Sequence, residues 1–104
     1  MKNCVIYCTV PNEFSANLIA TTLVEENLAA CVNIVPSVTS VYKWEDITQT
    51  DSELLLIIKT QEDKFEEIEN KIKSLHENTL PEIIAIPIIK GSEEYQNWIV
   101  EKTS

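Results

Sequence analysis

Two strand-like runs, separated only by Glu45 and Asp46, are longer than a chain of this size can bury. The first lies within Ala29–Trp44 and holds Val32, Ile34, Val38, Val41, Tyr42 and Trp44, a strand composition. Its mate runs from about Thr48 to Thr60 around Leu54-Leu55-Leu56-Ile57-Ile58. From Val32 to Trp44, an extended strand covers about 43 Å at about 3.3 Å per residue. A compact chain of 104 residues has a radius of gyration of about 13 Å, hence a body about 33 Å across. The hairpin outruns its own domain. Its far end carries Val41, Tyr42, Trp44 and Ile47, which a monomer leaves in water. An oligomer that covers the hairpin resolves this, and so does a sharp bend at Pro36 that folds the ribbon back over its own sheet. Pro36 cannot donate to a ladder, so its strand is expected at an edge, with a bulge or bend there.

The other elements follow from apolar spacing. Cys4–Val10 is an unbroken β-favouring run that Pro11 and Asn12 end. Asn12 caps a helix whose buried face reads Ala16, Ile19, Ala20, Leu23 and Val24, and Asn27 is its stop. After the hairpin, Thr60 and Asp63 resemble a capping box. It opens a helix striped by Phe65, Ile68, Ile72 and Leu75, with Glu67/Lys71 and Glu69/Lys73 paired four apart. Leu80-Pro81-Glu82 leads into a strand over Ile83–Ile89, and Gly91-Ser92 opens a short helix with Tyr95, Trp98 and Ile99. The order β-α-β-β-α-β plus a terminal helix is the split βαβ arrangement, an α+β fold. It predicts an antiparallel four-stranded sheet with two helices on one face. The first and third strands lie in the middle and the second at an edge, in agreement with Pro36. A three-layer α/β domain is the competing architecture, and two long consecutive strands fit it poorly.

Residues 1–104 read as a single domain. With 44% hydrophobic residues, one Gly and four Pro, the chain is neither disordered nor low-complexity. Seventeen acidic residues against eight basic ones leave a net charge of -9. Such a field repels phosphate backbones and anionic lipid, so neither nucleic acid nor membrane is an expected partner. Along a strand Cys4 and Cys8 sit about 13 Å apart, far beyond the roughly 4.4–6.8 Å of a disulfide. With Cys31 they read as small buried hydrophobes in a reducing, cytoplasmic setting. No basic-then-apolar leader and no apolar run of spanning length is evident.

The blocks "YCTVPNE" (Tyr7–Glu13), "LAACVNIVPSVTSVYKWE" (Leu28–Glu45), "IKT" (Ile58–Thr60), "LPEIIAIPI" (Leu80–Ile88) and "YQNWI" (Tyr95–Ile99) resemble the CutA family, the divalent-cation tolerance proteins. The resemblance implies a ferredoxin-like domain in a homotrimer, with the long hairpin pairing between subunits. The number three comes from the resemblance, since strand length argues only for a partner. It also implies a role in tolerance of divalent metals, weak binding of copper or another divalent metal, and no catalytic activity. Two departures stand out. The family commonly has His-Pro-Tyr where this chain has His76-Glu77-Asn78, and Trp-x-Gly where it has Trp44-Glu45-Asp46. Asp tolerates left-handed geometry, so the turn survives at modest strain.

No catalytic set is evident: one His, no CxxC, no HExxH, no phosphate-binding loop. A metal site has to be assembled from separate elements. The copper ligands proposed within the family correspond here to Cys8 and His76, while the position between them is Leu75, which cannot coordinate. For Cys8 the competing role is a packed strand thiol. For His76 it is a solvent-facing or helix-capping imidazole. Glu82 either faces a cleft or the threefold assembly, or accepts backbone donors and fixes its own loop. Tyr42 and Trp44, two apart and on one side of the strand, either line a small-ligand pocket or anchor an interface. The carboxylates from Asp51 to Glu67 read as a solvated face.

Overall fold

A computed structural model describes residues 2–104. Strand β1 (Asn3–Val10) leads to helix α1 (Glu13–Glu25), and strands β2 (Cys31–Trp44) and β3 (Ile47–Gln61) form the hairpin. A short 3-10 turn (Glu62–Lys64), helix α2 (Phe65–Leu75), strand β4 (Ile84–Pro87) and helix α3 (Glu93–Lys102) complete the chain. The sheet order is β2-β3-β1-β4 with antiparallel neighbours, so β1 and β3 are central and the Pro36 strand is an edge.

Alternation within β1 sends Cys4, Ile6, Cys8 and Val10 to one face, where they meet Leu56 and Ile58 of β3. Ala16, Ile19 and Leu23 of α1 and Ile68 and Ile72 of α2 close this core. Asn3 and Gln61 alternate with core-facing Cys4 and Thr60, and both reach α3. The Asn3 amide donates to the Gln96 carbonyl at 3.1 Å, and the Gln61 amide donates to Thr103 Oγ1 at 2.8 Å. Helix α3 therefore covers the corner of the opposite face.

The hairpin has two parts. From Cys31 to Val35, β2 pairs with the section of β3 that also pairs with β1. Pro36 and Ser37 together face Leu54, a bulge marked by a register shift and by a φ of 63° at Ser37. Beyond it, Val38–Trp44 and Ile47–Glu53 pair only with each other, as a two-stranded ribbon past the end of β1. The long axis is 44 Å against 25 and 23 Å. The bulge does not fold the ribbon back. Glu45 and Asp46 both have positive φ, 51° and 65°, the left-handed pair that a two-residue hairpin turn demands.

Asn12 is the cap of α1, its Oδ1 accepting the Ser15 N–H at 2.9 Å. Asn27 stops the helix in left-handed geometry (φ 59°), with N–H bonds from Asn27 to the Val24 carbonyl and from Leu28 to the Leu23 carbonyl. Several expectations change. Thr60 opens no capping box: it is buried in β3, and its hydroxyl donates to the Leu28 carbonyl at 2.6 Å. Val24 lies outside the core face and is exposed. Lys71 pairs with Glu26, the residue that follows α1, at 3.1 Å rather than with Glu67, whereas Glu69–Lys73 forms as expected at 3.1 Å. The last strand spans only Ile84–Pro87, not Ile83–Ile89: its register with β1 runs from Ile84 opposite Tyr7 to Pro87 opposite Cys4, followed by a single bond from the Ile88 N–H to the Asn3 carbonyl at 3.0 Å.

Candidate functional site

The end of β1 nearest the ribbon gathers the residues with chemistry. Cys8 points into the core with no exposed surface, opposite Leu56. Burial pushes its thiol up to about 12, and the charges of Glu82 and Glu53 push the same way. Its Sγ lies 3.8 Å from the Thr9 carbonyl oxygen, a weak sulfur donor contact.

His76 arrives at that same carbonyl from α2. The helix ends at Leu75, and His76 turns extended (φ -81°, ψ 140°), its N–H still donating to the Ile72 carbonyl at 2.8 Å. Nε2 lies 2.7 Å from the Thr9 oxygen, and the Asn78 N–H donates to Nδ1 at 3.0 Å. A carbonyl only accepts and a backbone N–H only donates, so these partners assign a neutral ring protonated on Nε2. Both ring nitrogens are engaged. The imidazole is half-buried and anchors its loop, rather than facing solvent.

Glu77, the next residue, docks on the start of α1. Ser15 Oγ donates to its Oε1 at 3.1 Å, and the Asn12 amide lies 3.4 Å from both carboxylate oxygens. A carboxylate at this helix start meets unpaired N–H groups and the positive end of the helix dipole. The His76-Glu77-Asn78 segment is thus tied twice, to β1 through His76 and to α1 through Glu77. Sequence reading missed Glu77. Its signal was the departure from the family pattern at this segment, His76-Glu77-Asn78 in place of His-Pro-Tyr. Thr9 was missed because its contribution is a backbone oxygen, which no side-chain pattern announces.

The structure brings Cys8 and His76 together on one carbonyl, with Glu82, itself exposed, close enough for its charge to act on the thiol. Among the described residues, no three His, Cys, Asp or Glu side chains are grouped to hold a metal ion. Tyr42 and Trp44 sit apart, on the ribbon, opposite Gln49 and Ile47. They are 41% and 43% exposed, and Val41 and Ile47 beside them are 65% and 61% exposed. The Tyr42 hydroxyl donates to the Asp51 carboxylate across the ribbon, and this bond raises its pKa.

Against known proteins, the family described as CutA1 divalent ion tolerance protein matches residues 4–102. The chain belongs to the CutA1 family. A divalent-cation tolerance protein CutA of Thermus thermophilus is 50% identical over 99 residues, covering 95% of this chain and 96% of that one. A chloroplastic CutA of Arabidopsis thaliana is 48% identical over 99 residues, 95% of this chain but 54% of that longer protein. The solved structure of a periplasmic divalent cation tolerance protein CutA from Archaeoglobus fulgidus superimposes with a TM-score of 0.95 at 40% identity, covering 98% of this chain and 99% of that one. Likeness of this order extends to the whole ferredoxin-like architecture, projecting ribbon included. No described helix is long and apolar enough to cross a membrane.

Proposed function

We propose that this CutA1-family chain acts as a homotrimer that weakly binds copper or another divalent metal in the response to metal ions, without catalytic turnover. The observation that carries the metal reading is the convergence of Cys8 Sγ and His76 Nε2 on the Thr9 carbonyl, with Glu82 and Glu53 acting on the same thiol. Thiolate and imidazole are donors that suit copper, and the carboxylates favour a cation. The same geometry keeps binding weak. A metal has to displace a proton from a thiol held up to about 12, and His76 has to give up Thr9 before Nε2 is free. While that thiol stays protonated, apparent affinity rises by about a factor of ten per pH unit.

Titration calorimetry of the reduced protein with Cu(I), Cu(II) and Zn(II) at two pH values tests this. The expected outcome is proton release on binding, tighter binding at the higher pH, and weaker binding in Cys8→Ala and His76→Ala. Unchanged affinity in both variants removes these residues from the site.

The oligomer rests on the ribbon. A two-stranded hairpin that leaves its sheet has marginal stability alone, and this one exposes Val41, Tyr42, Trp44 and Ile47. A second reading, a structural or signalling trimer for a protein or small-molecule partner without metal function, draws support from the engagement of both His76 nitrogens. A stoichiometric partner co-purifying from the native cell without bound metal favours that reading. Three free thiols suit a reducing compartment, and we assign the protein to the cytoplasm. Relatives carry chloroplastic and periplasmic names, so fractionation of the native cell is the check.

A further inference from the structure

Three thiols occupy two kinds of environment. Cys4 and Cys8 have no exposed surface, and burial holds them up to about 11 and 12. Cys31, at the start of edge strand β2, is only half-buried. It stands directly opposite Lys59 in the β2–β3 ladder, and Lys59 Nζ lies 3.9 Å from Cys31 Sγ. Tyr95 of α3 is the third group, close enough to Cys31 for the thiol to raise its pKa after burial has done so. Cys31, Lys59 and Tyr95 belong to the "LAACVN", "IKT" and "YQNWI" blocks. Neither the core nor the proposed metal site uses them.

We propose that Cys31 and Lys59 are a covalent modification site, in which hydrogen peroxide drives formation of a sulfenamide that ties edge strand β2 to central strand β3. In the first step Cys31 sulfur attacks peroxide. An S–O bond forms, the O–O bond breaks, and the departing hydroxide takes the thiol proton as water, leaving a sulfenic acid. In the second step Lys59, as the neutral amine, attacks that sulfur. An N–S bond forms, the S–O bond breaks, and hydroxide leaves with an amine proton as the second water. One peroxide is reduced to two waters, and the sulfur supplies the two electrons.

Geometry favours this pair over the alternatives. Separation of the reacting atoms is close to the roughly 3–3.5 Å of a near-attack arrangement, and rotation of a flexible lysine closes the gap. The backbones are already in register, since the Ala30 N–H donates to the Lys59 carbonyl at 2.9 Å. Cys4 and Cys8, sealed in the core, present no thiol for Cys31 to capture as a disulfide. Two equivalents of an added thiol reverse the bond, returning Cys31 and Lys59 and forming one disulfide of the reagent.

The test is intact-mass and peptide-map spectrometry of the full reduced chain treated with hydrogen peroxide. The expected product is lighter than the reduced chain by about 2 Da, maps to Cys31 joined to Lys59, and reverts with dithiothreitol. Lys59→Arg keeps the cation without a nucleophilic amine. It is expected to lower the linked fraction by at least about tenfold while its Cys31 becomes labelled by dimedone, the trap for sulfenic acids. Cys31→Ser gives neither product. Circular dichroism melts show that the variants are folded. Oxidation at Cys4 or Cys8 first, oxygen addition at Cys31 with no link in the wild type, a Lys59→Arg chain that links as the wild type does, or no reaction overturns the proposal.

Discussion

Trp44→Ala distinguishes a ribbon that a partner covers from one that stands alone. In the single subunit Trp44 is 43% exposed, so part of its surface already packs within the hairpin and the rest is open. A Trp presents about 250 Å², so an interface that covers the open part removes about 100 Å² per subunit from water. At about 25 cal/mol per Å² that is about 2.5 kcal/mol per subunit, or about 8 kcal/mol over a trimer, since symmetry repeats the loss. The monomer–trimer constant then falls by between five and six powers of ten, at about 1.4 kcal/mol each. That constant scales as concentration squared, so the dissociation midpoint moves up by between two and three powers of ten. Sedimentation and light scattering from nanomolar to micromolar subunit measure this shift. Phe14→Ala is the control, because Phe14 is 75% exposed on α1 and belongs to neither ribbon strand, so its removal leaves the midpoint in place when the ribbon makes the interface. If Trp44→Ala lowers thermal stability yet holds the wild-type mass across the whole range, the side chain acts within its own subunit and the interface assignment is wrong.

At the turn, Asp46 sits at φ 65°. A left-handed L-residue costs about 1–2 kcal/mol, and Gly repays part of that through its own entropy, so Asp46→Gly gains about 0.5–1 kcal/mol per subunit. Asp46→Ala loses stability, and denaturation at fixed concentration must rank Gly above Asp above Ala. Asn12→Ala removes both the α1 cap and the amide beside Glu77, an expected loss of about 1–2 kcal/mol. Faster hydrogen exchange in residues 76–78 is the accompanying sign. The Cys8 thiol is raised in the fold from 9.0 to about 12, so its contribution is complete below pH 9 and is lost as pH climbs towards 12. Relative to wild type, Cys8→Ala flattens the alkaline decline of stability in that window. Parallel declines would mean that Cys8 titrates alike in the folded and unfolded states.

The legible parts of this molecule were those decided by neighbours along the chain. Asn12 announced its helix because a cap bonds only three residues ahead, to Ser15. Pro36 placed its strand at the edge because it lacks an N–H, and the bulge formed there. Glu45 and Asp46 marked the turn because two long apolar runs met at them; the length of those runs left either a projecting ribbon or one folded back at Pro36, and the structure has it projecting. Partner choice across the fold was different. Thr60 looked like a cap, yet its hydroxyl found the Leu28 carbonyl, which only the packing of β3 beside the end of α1 brings within reach. Lys71 had Glu67 one turn away and took Glu26 at the end of another helix. At the candidate site, Cys8 was named from its strand and His76 from its helix end. That they share a backbone oxygen, that the imidazole has no free nitrogen, and that Glu77 straps the loop to α1 depended on where two helices lie on one sheet. Spacing along a chain determines which face a side chain takes. Which donor answers which acceptor is decided only after distant segments compete for the same few buried atoms.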